Sequence, residues 1–165
     1  MYTTVIINDE AIEIAIKKVN DIHKKQNENT LNGILDAAIF GKMEEEWENF
    51  TKAIHETFIF GKEYTREKID RIITTVEGFI NDGKQKAREI HNWFKTSLQV
   101  FMKSLITAGF QSVPESIVIG TDTFTIQSLS CNQKIGLGGS LKANFMEAVE
   151  LTANGEIEIG VSYGK

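Results

Sequence analysis

One cysteine, one proline and three histidines in 165 residues leave little from which to build the commoner chemical sites. The lone Cys131 cannot form an intrachain disulfide, and Met1-Tyr2-Thr3-Thr4-Val5 lacks the basic-then-apolar pattern of a secretory signal, so a cytoplasmic protein is expected. No apolar run approaches the roughly 20 residues that span a bilayer. The best candidate, Trp93 to Phe110, is interrupted by Lys95 and Lys103, which argues against a resident transmembrane protein. Basic charge is also scarce. A net charge of -5 gives no electrostatic reason to approach nucleic acid, whose binding depends on neutralising phosphates. Lys24-Lys25 and the stretch from Lys84 to Arg88 are too short to reverse that balance or to hold an anionic membrane.

The catalytic inventory is thin as well. His23, His55 and His91 fall on separate predicted helices with no His-x-x-x-His or Glu-x-x-His spacing, so no metal site is expected. Glu44, Glu45, Glu46 and Glu48 are near-consecutive on one helix and point in different directions, which suits dipole capping and solubility better than acid–base chemistry. Cys131, between Ser130 and Asn132, has no neighbour in sequence that would lower its pKa. Gly136-Leu137-Gly138-Gly139-Ser140 resembles a phosphate loop only superficially. It lacks the Gly-Lys-Ser/Thr ending and reads as a bend between strands. The expectation is therefore a non-enzyme without cofactors.

What is present is a foldable chain: 41% hydrophobic and 25% charged residues are the proportions of a globular protein that folds alone or with copies of itself. The fold class read from the pattern is α+β. A helical region spans 1–112 with a short strand at its start, and an antiparallel β-meander spans 113–165, packed on the last helix as one unit.

Tyr2 to Ile7 read as a strand, followed by an Asn8 or Asp9 cap. A first helix carries Ile12, Ile16, Val19 and His23 on one face and ends near Gln26, with Asn27 to Asn29 as loop. Thr30 caps a second helix that Gly41 stops. A third has the stripe Trp47, Phe50, Ile54 and Phe58 and stops at Gly61. The recurrence of Ile39-Phe40-Gly41-Lys42 as Ile59-Phe60-Gly61-Lys62 fits two helix ends with Gly as the closing residue.

From Tyr64 to Ala108 the pattern is a heptad seam: Ile69, Ile73, Val76, Ile80, Gly83, Ala87, Ile90 and Phe94 alternate spacings of four and three. Either one long projecting helix or a helical hairpin broken at Asn81-Asp82-Gly83 satisfies it, with preserved phase favouring continuity. Beyond Phe94 the apolar residues wrap around more than one face, placing that end under the sheet. Val113-Pro114 closes the helices. Strands are then predicted around Ile117 and Ile119, Phe124 and Ile126, and Ile135 and Leu137. A last hairpin is predicted across Ala153-Asn154-Gly155, pairing Leu151 with Ile157, Val149 with Ile159 and Phe145 with Tyr163. A short helix over Ala143 to Val149 is the alternative.

The seam, too long for so small a body to hide, points to a protein that self-associates into a homo-oligomer or docks a partner protein's helix through Ile69 to Phe94. Two other function classes fit the composition. One is a pore-forming effector that meets a membrane only after a conformational change releases Trp93, Phe94 and Phe101. The other is an acidic inhibitory or immunity-type binding protein that covers a basic partner.

Overall fold

Both ends of the chain enter one antiparallel sheet, with the helices between them. The computed structural model describes residues 1–6, 9–30, 37–60, 62–82, 87–133, 136, 138–154 and 157–165. In chain order the elements are β1 (Tyr2–Ile6), α1 (Asp9–Thr30), α2 (Ala37–Phe60), α3 (Lys62–Asp82), α4 (Ala87–Gln111), β2 (Ser116–Ile119), β3 (Asp122–Cys131), α5 (Leu141–Asn154) and β4 (Glu158–Gly164). The sheet order is β1-β4-β3-β2. The α+β class and the β-rich C-terminal part are thus present, in an arrangement richer in helix than the pattern suggested.

The termini are joined by β1 and β4, in the register Thr3↔Val161 and Val5↔Ile159. The Met1 amine and the Tyr163 carbonyl are 2.8 Å apart, and the Tyr163 N–H donates to the Met1 carbonyl at 2.8 Å. Successive side chains of a strand point to opposite faces, so Ile159, Val161 and Tyr163 of β4 form one inward row, and all three are buried. Tyr163 also satisfies its hydroxyl, which donates to the Pro114 carbonyl at 2.9 Å and ties β4 to the segment leaving α4.

The helices supply the other layer. α2 packs along α3 and α1 along α4, while α5 sits against α2, α3 and α4. Phe50 is the hub: its ring centroid lies 5.2 Å from Trp47, 5.9 Å from Phe101 and 5.2 Å from Phe145, joining α2, α4 and α5. Edge-to-face and tilted pairs of this kind add to the burial of large rings. Polar groups inside the bundle mostly find partners. Thr65 donates to the Ala53 carbonyl at 3.3 Å and Thr152 to the Ala148 carbonyl at 2.6 Å. Asn144 does not: it is fully buried on α5, and neither Nδ2 nor Oδ1 has a hydrogen-bond partner.

Several expectations are corrected. The stretch after Ser140 is α5 and not a strand, so the predicted hairpin of Leu151 with Ile157 does not exist, and β4 instead pairs with β1 and β3. The reason is visible in burial. Leu141, Asn144, Phe145, Ala148, Val149 and Thr152 are the covered positions, a helical stripe spaced three and four apart. The alternative of a helix over Ala143 to Val149 holds, and its bounds are wider. Ser140 caps it, accepting from the Ala143 N–H at 3.2 Å, so the glycine-rich run leads into a helix. Gly41 does not stop a helix, because α2 runs through it; an interior glycine costs only about 1 kcal/mol relative to alanine. Asn27 to Asn29 belong to α1. Gly61, Ile135 and Leu137 lie outside the described residues.

Neither the long heptad helix nor a hairpin broken at Asn81-Asp82-Gly83 is confirmed. α3 ends at Asp82 and α4 begins at Ala87, with 83–86 outside the described residues, and each helix takes its largest interface from another partner, α2 or α1.

Candidate interaction surface

The seam occupies the interior. Ile69, Ile73 and Val76 of α3 and Ile90 and Phe94 of α4 are buried, Ile80 and Ala87 are half-buried, and Gly83 lies outside the described residues. Of the predicted residues, Ile69, Ile73, Val76, Ile90 and Phe94 are therefore brought together, with Ile80 packed against them, but as the shared core of α2, α3, α4 and α5. No partner helix reaches them without opening the bundle.

Two clefts lie between helices. The α2–α3 cleft, of about 250 Å³, is lined by Glu46, Asn49, Lys52, Glu56, Lys68 and Arg71 among others. Its charges answer one another: Lys68 pairs with Glu56 and lies within hydrogen-bond reach of it, and Arg71 donates to Glu67 at 2.6 Å. Glu46 is held above the ordinary carboxylate pKa, chiefly because partial burial disfavours its charged form. The Glu45 charge beside it adds to the rise, and the Asn49 hydrogen bond partly offsets it. A second cleft of about 430 Å³ between α1 and α4 is lined by Lys18, Asp21, Val100, Lys103, Ser104 and Thr107. Neither presents a nucleophile beside a base. His55 stands 3.5 Å from Glu13 on the surface, and the described residues hold no group of three His, Cys, Asp or Glu side chains suited to a metal. The side chain of His23 lies outside the described residues.

The sheet is different, because its inward face is covered only in part. In β2 and β3 the inward row is fixed by register: Ile117 opposes Phe124, Ile119 opposes Asp122, Ile126 opposes Tyr163, and Leu129 opposes Val161. Their partners on β4 are buried, yet Ile117, Phe124 and Ile126 are only half-buried, Ile119 is 49% exposed and Leu129 41% exposed. On the other face Val118 is 68% exposed. Cover thins from β4 toward β2: Ile117, Phe124 and Ile126 still pack against the core, while Ile119 and Leu129 hold apolar side chains in water. Contiguous exposed apolar patches mark contact sites.

The ribbon of β2 with β3 is well defined. Gly120, at φ +64°, opens a two-residue turn, with Ile119 opposite Asp122 across it. Only the first turn residue is left-handed, the signature of a type II′ hairpin. Between Ile126 and Ser128 the register shifts in a bulge that carries Gln127. The outward face is rich in hydroxyls, with Thr123, Thr125, Ser128 and Ser130 exposed along β3. On this face a Cβ at Gly160 would run into Tyr2 Oη and one at Gly164 into the Gln127 amide, so two larger side chains lie flat over two glycines.

No protein-family model, curated protein or solved structure matches this chain. No helix among the described residues is long and apolar enough to cross a membrane.

Sequence reading located the strands that carry Ile117, Ile119, Phe124 and Ile126 but not their exposure. Alternation signals a half-buried strand without saying whether a helix covers that half.

Proposed function

We propose that this is a non-enzymatic interaction protein of the cytoplasm that docks another protein through the β2–β3 ribbon. One observation carries the reading: a row of large apolar residues on the helix-facing side of the sheet that the rest of the chain covers only in part, with Ile119 and Leu129 exposed and Ile117, Phe124 and Ile126 half-buried against the core. Burying apolar surface yields about 25 cal/mol per Å², so an exposed row of this kind has a standing gain available from a complementary protein surface. The heptad seam takes the opposite role, holding the platform rigid from inside. Phe94 and Phe101 are likewise fully enclosed, so a membrane-inserting role requires opening the core first.

The test is a photo-crosslinking amino acid placed at Ile119, with Glu77 on the exposed side of α3 as control, in cells that naturally make the protein. A discrete crosslinked species is expected from Ile119 and none from Glu77. No species at either position, or the same species at both, would refute ribbon docking.

A further inference from the structure

The ribbon ends at an open strand edge, and the hydrogen-bond pattern of that edge identifies what fits it. In an antiparallel pair, residues alternate between those that exchange both backbone hydrogen bonds with the neighbour and those whose N–H and C=O point away. The Ile126 N–H donates to the Glu115 carbonyl at 3.1 Å, and a two-residue turn closes on Ile119 and Asp122. These two facts set the phase. Glu115, Ile117 and Ile119 turn their backbone groups toward β3. Ser116 and Val118 therefore present theirs to the other side, because β2 is the last strand of the sheet among the described residues.

Natural edges are protected by lysine, proline or an inward charge; Ser116-Ile117-Val118-Ile119 is itself uncharged and β-branched in its last three residues, and Pro114 and Glu115 guard only its start. The other edge, β1, places the exposed Thr3 in its inward row and lays Tyr2 across Gly160.

We infer that the partner is a second copy of this chain, joined β2 to β2 about a two-fold axis through Ile117; this rests on the ribbon-docking reading above and names its partner. An antiparallel strand pair is self-complementary, and the outward pair Ser116 and Val118 fixes the register. Ser116 of one copy exchanges N–H···O=C bonds with Val118 of the other, and the reverse, with Ile117 facing its own counterpart between them. Glu115 then falls opposite Ile119 of the second copy, so no like charges meet. Because residue and partner share a face, the inward rows merge: Phe124, Ile117, Ile117 and Phe124 run across the axis as one apolar strip. The sheet becomes continuous, in the order β1-β4-β3-β2-β2-β3-β4-β1. The two helical layers flank the axis on the same side.

Sedimentation velocity over a wide concentration range tests this on the full chain. Val118→Pro is the informative variant. It removes an N–H that the isolated subunit leaves in solvent, and an edge position tolerates proline, so the fold is kept while a symmetric pair of hydrogen bonds is lost. The wild type is expected to show a monomer–dimer equilibrium, and Val118→Pro to dissociate about tenfold more readily or beyond. In a Cys131→Ser background, Ile117→Cys is expected to oxidise to a disulfide-linked dimer, since facing residues of a non-hydrogen-bonded pair lie about 4.5 Å apart at Cα. Val118→Cys, on the opposite face and out of register with itself, is expected to form no disulfide-linked dimer under the same oxidation. A wild type that remains monomeric throughout, or a dimer untouched by Val118→Pro with no Ile117→Cys linkage, overturns self-pairing. If the chain is monomeric while Ile119 still crosslinks a different protein, the ribbon reading stands and only the identity of the partner falls.

Discussion

Asn144 is the core residue whose replacement is expected to improve the protein. Its side chain is fully enclosed on α5 and its amide nitrogen and oxygen have no hydrogen-bond partner, so the fold carries the desolvation cost of a primary amide without compensation. That cost is about 1–3 kcal/mol in protein mutational data. Leucine has a similar length and shape, and burying it contributes about 1.5–3 kcal/mol relative to exposure. Against this stand its rotamer entropy and an imperfect fit, which costs about 1–3 kcal/mol where branching forces neighbours such as Phe145 or Ala148 to shift. The net expectation for Asn144→Leu is stabilisation by about 1–3 kcal/mol, or about 2–4 °C in Tm for each kcal/mol in a chain of this size. Urea titration followed by circular dichroism measures it: the midpoint should rise with an unchanged slope. Asn144→Ala separates the terms, because it removes the amide but leaves a void, and it should fall between wild type and the leucine variant. A leucine variant destabilised by more than about 1 kcal/mol would show that the amide is satisfied or needed, and would refute the reasoning.

Three further outcomes follow from the packing. Phe50→Ala, at the junction of Trp47, Phe101 and Phe145, should cost about 3–5 kcal/mol in the same urea assay, because the ring is fully buried and its neighbours belong to three different helices. Ser140→Ala should cost about 0.5–2 kcal/mol by removing the cap of α5. Glu46 has a carboxyl pKa raised by folding, so its charged form opposes the fold. That penalty is present above the folded pKa and is relieved as pH falls through it toward the unfolded value, so Glu46→Gln should be more stable than wild type at neutral pH, with the difference shrinking in mild acid. Stability curves of both proteins against pH check the sign.

How far the fold was legible depended on whether one periodicity had a rival. Ile117, Ile119, Phe124 and Ile126 alternate beside Gly120, and β2 and β3 stand where that pattern put them. Tyr2 to Ile6 likewise had only a strand reading. In α5 two periods compete, because Leu141, Phe145 and Val149 are spaced by four, which both a strand and a helix place on one face. The alternation of Leu141, Ala143 and Phe145 and of Val149 and Leu151 favoured the strand, whereas the buried helical stripe also takes in Asn144, Ala148 and Thr152. The heptad seam was hard to place for another reason. Spacings of four and three are produced by any helix buried along one side, and keeping phase from Ile80 to Ala87 does not require the helix to continue between them. Once α3 lies on α2, and α4 on α1 and α5, the apolar line is short enough for one subunit to enclose.

The exposed ribbon was the least legible feature, since it arises from what covers what. With 141–154 drawn into the bundle as a helix, the sheet is completed by β1 from the other end of the chain, and among the described residues the buried side chains of the sheet are those of β4. Nothing in Ile119 or Leu129 themselves encodes that position.

Amide hydrogen exchange resolved to single residues, at low and high protein concentration and with any crosslinked partner added, distinguishes an outer ribbon from an inner seam most directly. In the isolated subunit Ile117 and Ile119 should be protected while Ser116 and Val118 exchange freely, and on association the latter two should slow while Ile69, Ile73, Ile90 and Phe94 keep their rates. Slowed exchange along α3 and α4 with Ser116 and Val118 unchanged would place the contact on the helices and contradict the ribbon.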